Sequence, residues 1–138
     1  MISALAQYWI DKLVAGSPVG KALTLSVEDA EVDAITLAMP ISEDIETMPG
    51  VIHGGILATL IDAAGAAASA SGVVEADNAT GGATTHLSVA YFTPARTDLA
   101  ATAEVVHRTR TTTTTEVVVK DTQGNTVARG QVTSRIFH

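Results

Sequence analysis

Residues 49–72 read P-G-V-I-H-G-G-I-L-A-T-L-I-D-A-A-G-A-A-A-S-A-S-G, and their reading decides the fold. Leu57, Leu60, Ile61, Ala64 and Ala68 recur at helical spacing, so the stretch predicts an apolar helix. His53-Gly54-Gly55 lies at its start, and Gly72 is a natural stop. Its second half is small-residue rich, so another backbone can approach closely. One formal charge, Asp62, interrupts the apolar run; it is either solvated at an edge or held in a specific pocket. Gly54 and Gly55 leave backbone N–H groups uncovered, and a helix start with bare N–H groups suits developing negative charge. The helix therefore offers a possible oxyanion site at one end and a carboxylate in its middle.

A helix this apolar needs cover. The chain has 138 residues, the length of one ordinary domain, and is read as a single domain over 1–138. It is 46% hydrophobic and 17% charged, as expected of a globular protein. Asp62, many alanines and several glycines, with no basic flanks, argue against a membrane span. The N-terminus lacks a signal-peptide pattern. No cysteine is present, which excludes disulfides, thiolate metal sites and a cysteine nucleophile. A cytoplasmic location is the expectation.

Around the central stretch, the flanking sequence predicts the covering elements. Ser3–Ala15 predicts a short amphipathic helix, broken by Gly16-Ser17-Pro18-Val19-Gly20. Two strands are expected at Ala22–Glu28 and Glu31–Met39, turning at Asp29-Ala30. The second should bury Val32 and the Ile35–Ala38 stretch. Pro40–Gly50 reads as an acidic loop, and a polar loop is expected around Glu75–Asn78. Strands follow at Ala83–Thr93, Leu99–Arg108, Thr111–Asp121 and Val127–Phe137, with a hairpin at Gln123-Gly124-Asn125. Plain alternation puts Thr85, Leu87, Val89 and Tyr91 on one face of the first of these. Thr84, His86, Ser88, Ala90 and Phe92 fall on the other. Helix, two strands, long helix, four strands is an α+β order, and a curved, mostly antiparallel sheet wrapped round the helix is the simple solution.

Net charge is −7. Residues 1–95 hold eleven acids and two bases, whereas residues 96–138 hold four acids and six bases. General nucleic-acid binding is not expected of so acidic a chain. A local basic patch for an anionic small ligand is compatible with the back third. His53, His86, His107 and His138 show no metal-ligand spacing, and no phosphate loop, dinucleotide fingerprint or G-x-S-x-G elbow is present. No metal and no cofactor are expected.

Gly50-Val51-Ile52-His53-Gly54-Gly55, followed by Asp62, resembles the signature of hotdog-fold acyl-CoA thioesterases. It is most similar to the phenylacetate-pathway (PaaI-type) branch of the 4-hydroxybenzoyl-CoA thioesterase superfamily. The family pattern is N-x-x-G-x-x-H-G-G, with an acidic residue nine after the His. The segment Thr84–Ala95, ending Tyr91-Phe92-Thr93-Pro94-Ala95, is similar to the family's next strand and turn, and the element order agrees over about residues 20–137. One departure stands at Thr47, where the family has Asn.

This resemblance implies a hotdog fold, a dimer or tetramer, and a site at the dimer interface. It implies an acyl-CoA substrate, a Gly54 N–H polarising the thioester carbonyl, and Asp62 as nucleophile or general base. Thr84 would orient the water or the carboxylate. His53, Gly55 and Thr47 would complete the site, and Arg96 with Arg108 or Arg110 would meet the phosphates. Tyr8, Trp9, Tyr91 and Phe92 are candidate pocket residues for an aryl or medium-chain acyl group. Plainer readings stand beside these: His53 as a cap, the glycines as packing positions, Asp62 as an interface carboxylate, Thr84 as a strand residue. The alternative function is a non-catalytic acyl-CoA binding or sensing module.

Overall fold

The computed structural model describes all residues, 1–138. The expected helix forms over Gly54–Ser71, called α3 in chain order. Its 18 residues have a mean hydropathy of 1.2, apolar enough by composition alone to cross a bilayer. Here it is the core. Five of the six strands of the covering sheet pack against it. Leu60 and Ile61 are fully buried (0% exposed), each stabilising the fold by about 1.5–3 kcal/mol relative to exposure.

Six strands cover it in the order β1-β2-β6-β7-β8-β5, every neighbouring pair antiparallel. They are β1 (Ser26–Glu31), β2 (Ala34–Met39), β5 (Gly81–Tyr91), β6 (Leu99–Arg108), β7 (Thr112–Lys120) and β8 (Thr126–Phe137). The last three fall close to where the sequence places them. On β8, Val132 meets Gly65 of α3, and Gly130 meets Ile61. Neither contact leaves room for another carbon. A Cβ on Gly65 would sit 2.5 Å from the Cβ of Val132, and one on Gly130 would sit 2.6 Å from the Cγ2 of Ile61. These two glycines let sheet and helix touch.

The first hairpin turns later than expected. Its corner is Val32-Asp33, with Asp33 left-handed at φ 68°, not Asp29-Ala30. The Asp33 N–H donates to Ser71 Oγ at 2.8 Å, a contact across 38 residues that local pattern does not reveal. Val32 is consequently exposed, and Ile35, Leu37 and Met39 supply the buried face of β2. Leu23 and Leu25 are buried but precede β1.

Four further regions differ from expectation. The N-terminal helix is α-helical only over Ala4–Tyr8 (α1) and continues as a π-helix over Trp9–Ala15. Pro18 begins a short helix, α2 (Pro18–Ala22), because Ser17 caps it by accepting from the Gly20 N–H at 3.0 Å. The acidic loop contains a 3₁₀ turn at Glu43–Ile45 and a small hairpin of β3 (Glu46–Met48) and β4 (Val51–Ile52). Gly50 makes that hairpin's corner at φ 81°. The polar loop carries a second 3₁₀ turn, Glu75–Asp77.

Arg108 closes the far end of α3. Its Nη2 donates to the carbonyls of Ala68 (3.1 Å) and Ser69 (3.0 Å), and the same nitrogen pairs with Asp33 Oδ1 at 2.8 Å. A cation on the last carbonyls of a helix satisfies orphan acceptors and opposes the dipole. It also ties the β1–β2 corner to the helix.

Two outcomes are expected in denaturant unfolding. Gly65→Ala costs about 1–3 kcal/mol by overpacking, and Val132→Ala in the same chain recovers part of that loss. Arg108→Ala costs about 1.5–3 kcal/mol, the range for a hydrogen bond to a charged group. An unchanged denaturation midpoint in either single variant contradicts the assigned contact.

Candidate active site

The start of α3 is built by His53. Its backbone is extended (φ −61°, ψ 134°), and its Nδ1 accepts from the Gly55 N–H at 2.9 Å, a side-chain N-cap. The ring N–H therefore lies on Nε2. Gly55 is spent on this cap: a Cβ there would lie 3.0 Å from the imidazole. The N–H of Gly54 donates to nothing within the chain. Of the two glycine N–H groups that the sequence offers, one is occupied and one is free.

Tyr91 holds this turn from the sheet. Its hydroxyl donates to the Gly54 carbonyl at 2.7 Å. The sequence suggests Tyr91 only as a pocket residue; the Tyr91–Ala95 motif signals its importance without revealing this bond. The same segment returns to the helix start, where the Ile52 N–H donates to the Ala95 carbonyl at 2.9 Å. The His53 N–H in turn donates to the Ile45 carbonyl at 2.8 Å.

Asp62 is half-buried on α3, and Thr84 reaches it from β5. The Thr84 hydroxyl donates to Asp62 Oδ1 at 2.6 Å. This bond reverses the predicted facing of Thr84. A β-bulge lies between Thr84 and His86, so Thr84 pairs with Ser134 while His86 pairs with Thr133. The extra residue, Thr85, flips the alternation. Thr84 thus shares the helix-facing side with Leu87, Val89 and Tyr91. One carboxylate oxygen is engaged, and Oδ2 makes no bond within the chain.

The remaining candidates are scattered. Thr47 is exposed in β3, and its side chain makes no hydrogen bond. Arg96 is exposed beside Ala95, at the same end of the molecule as Gly54. Arg108 and Arg110 lie at the opposite end of α3, where Arg110 Nη2 reaches only the Asp77 carbonyl at 3.5 Å. The expected basic patch is therefore split within the chain. Within one chain Arg96 stands apart from Arg108 and Arg110, and Arg108 is committed to Asp33 and α3. Tyr8 and Phe92 are exposed, at 55% and 57%, while Trp9 lines a cavity next to Thr84. No group of three or more His, Cys, Asp or Glu side chains is placed to hold a metal ion.

Within one chain the Gly54 N–H and the Asp62 carboxylate stand apart. Gly54 and Asp62 are eight residues apart on one straight helix, so their axial separation is about 12 Å at ~1.5 Å per residue. A single carbonyl cannot touch the Gly54 N–H and the Asp62 carboxylate of the same chain. The second feature is an open edge: β5 is eleven residues long, and its free side carries no formal charge or proline to protect it.

Known proteins share this sequence pattern and fold. The thioesterase superfamily model matches residues 49–128, from the turn before α3 into β8. A Halobacterium salinarum protein named as an esterase is 38% identical over 124 residues, covering 83% of this chain and 82% of its own length. Two solved structures have the same fold. A thioesterase family protein from Silicibacter pomeroyi superposes with a TM-score of 0.85 at 24% identity, covering 96% of this chain and 98% of that one. The PaaI protein of the Escherichia coli phenylacetic acid degradation operon gives a TM-score of 0.86 at 21% identity, covering 100% and 97%. With its family model spanning the helix and the strands that wrap it, the chain belongs to the thioesterase superfamily and adopts the hotdog fold.

Proposed function

We propose that the protein hydrolyses an acyl-CoA thioester to a free acid and coenzyme A. The Thr84–Asp62 hydrogen bond carries this reading, because it aims a carboxylate from an otherwise apolar helix and leaves Oδ2 free. Thioester cleavage needs a group to polarise the carbonyl and a group to promote attack on its carbon. The Gly54 N–H would donate to the developing oxyanion. Asp62 Oδ2 would take a proton from the attacking water, or attack the carbonyl carbon itself. In either case the tetrahedral intermediate collapses by breaking the C–S bond, and the thiolate leaves to be protonated; where Asp62 itself attacks, a mixed anhydride remains on its carboxyl, and water then hydrolyses it to release the acid and restore the carboxylate.

The spacing of about 12 Å along α3, at about 1.5 Å per residue over eight residues, supports a site shared between two protomers. Gly54 of one protomer and Asp62 of its partner would flank one thioester. Pairing through the exposed β5 edge would bring two copies together, and the partly exposed Ala63 and Ala66 of α3 present little bulk to a second helix. A homodimer is the minimal active unit, and a homotetramer is the proposed full assembly. Motif and whole-chain fold likeness favour the PaaI-type branch. Absence of cysteine suits a reducing compartment, and we place the protein in the cytoplasm. Arg96, free of ion pairs and near the helix start, is the proposed phosphate contact.

A second reading rests on Thr47. Where the resemblance expects an Asn at the site, an exposed Thr makes no side-chain bond. A site short of one polar group could bind acyl-CoA without turning it over. Free-thiol release across a panel of acyl-CoA thioesters separates the two: hydrolysis gives steady release, whereas a binder gives saturation and none. For the hydrolase, Asp62→Asn lowers kcat by about two decades or more, the range of lost general-base catalysis. Thr84→Ala, which removes only the orienting hydroxyl, costs less, and Thr84→Ser restores most of that loss. Near-normal turnover by Asp62→Asn removes Asp62 from the mechanism.

A further inference from the structure

Beside Thr84 lies a cavity of about 230 Å³ that the reaction scheme above does not use. One wall is the small-residue face of α3, at Ala66 and Ala70, with the Gly81–Ala83 start of β5. The other wall is Trp9, Leu13 and Val14 of the π-helix. Thr84 belongs both to the cavity lining and to the Asp62 hydrogen bond. Ala66 lies four residues after Asp62, one turn further along the same helix face. The cavity therefore begins where the carboxylate ends.

The π-helix makes this wall. In an α-helix Val14 would point about 140° away from Trp9, at 100° per residue. The wider i→i+5 winding returns it to the same side as Trp9 and Leu13, so three apolar side chains face the cavity together. Such turns are rare and cluster at functional sites. Leu13 is 57% exposed, an apolar side chain held at the cavity mouth rather than in the core. Seven of the twelve lining residues are hydrophobic, and the α3 side is kept open by alanines. For scale, an apolar cavity of about 150 Å³ accepts benzene.

We propose that this cavity holds the acyl arm of the thioester, and that the π-helical wall, Trp9 above all, sets the size of acyl group accepted. The inference rests on the hydrolase reading, because it takes Asp62 and Thr84 as the reacting end. Trp9 and Ala66 act from opposite walls, so their substitutions have opposite effects. Trp9→Ala enlarges the cavity and Ala66→Leu fills it.

The test measures kcat/KM for straight-chain acyl-CoA thioesters from acetyl to dodecanoyl. Trp9→Ala raises the ratio of long-chain to short-chain kcat/KM severalfold, and Ala66→Leu lowers it severalfold. Trp9 is the only tryptophan, so its emission reports the wall directly. Titration with the S-octyl thioether of coenzyme A, which cannot be hydrolysed, shifts Trp9 emission in the wild type. Coenzyme A itself does not, and the shift shrinks in Ala66→Leu. Should Trp9→Ala fail to fold, Ala66→Leu and the emission titration decide. If thioesters are hydrolysed but the ratio and the emission stay unmoved, the cavity is not the acyl site. If no thioester is hydrolysed and no thioether bound, the hydrolase reading falls and this inference falls with it.

Discussion

Everything in this fold follows from covering α3. A helix with Leu57, Leu60, Ile61, Ala64, Ala67 and Ala68 buried cannot be left in water, and one sheet must curve round it. The contact is tightest where Gly65 meets Val132 and where Ile61 meets Gly130. Close approach there removes the gap into which a larger side chain would fit. Asp62 lies at the margin of this seam, where the sheet ends in β5 and Thr84 reaches across to it. The apolar demand of the helix and the exposure of its one carboxylate are thus settled by the same geometry.

The ends of α3 have different chemistry for the same electrostatic reason. At the N-terminus, unpaired N–H groups favour negative charge, and the cap uses the Gly55 N–H while leaving Gly54 free. At the C-terminus, exposed carbonyls favour a cation, and Arg108 supplies it. A basic side chain so placed stabilises the scaffold and has little left for a ligand. That separates Arg108 from Arg96, which the charge pattern alone groups together.

Much of this architecture is legible in the sequence, and what is not has a physical cause. The apolar period marks α3, and β-branched alternation marks β6, β7 and β8. The H-G-G turn and Asp62 stand out because glycine pairs and a lone carboxylate are conspicuous in apolar surroundings. Features fixed by distant contacts are not visible. Ser71 moves the first hairpin corner to Asp33, and Arg108 is claimed by carbonyls some forty residues away. The bulge at Thr85 leaves no mark in a run of alternating residues, yet it decides which way Thr84 faces. The π-helix is equally silent, because Trp9, Leu13 and Ile10 fit an ordinary amphipathic pattern.

A single site that draws Gly54 from one protomer and Asp62 from the other can be tested directly. Gly54 is the first residue of α3, where proline is tolerated, and His53 before it already has the extended backbone that proline requires. Gly54→Pro therefore deletes the proposed oxyanion donor with little damage to the helix. The decisive measurement is thiol release by a purified mixed dimer, one chain carrying Gly54→Pro and the other Asp62→Asn. Each variant alone is expected to be nearly inactive. The mixed dimer contains one site with both native groups and one with neither, so it recovers about half of wild-type activity. A mixed dimer as inactive as its two parents contradicts the shared site.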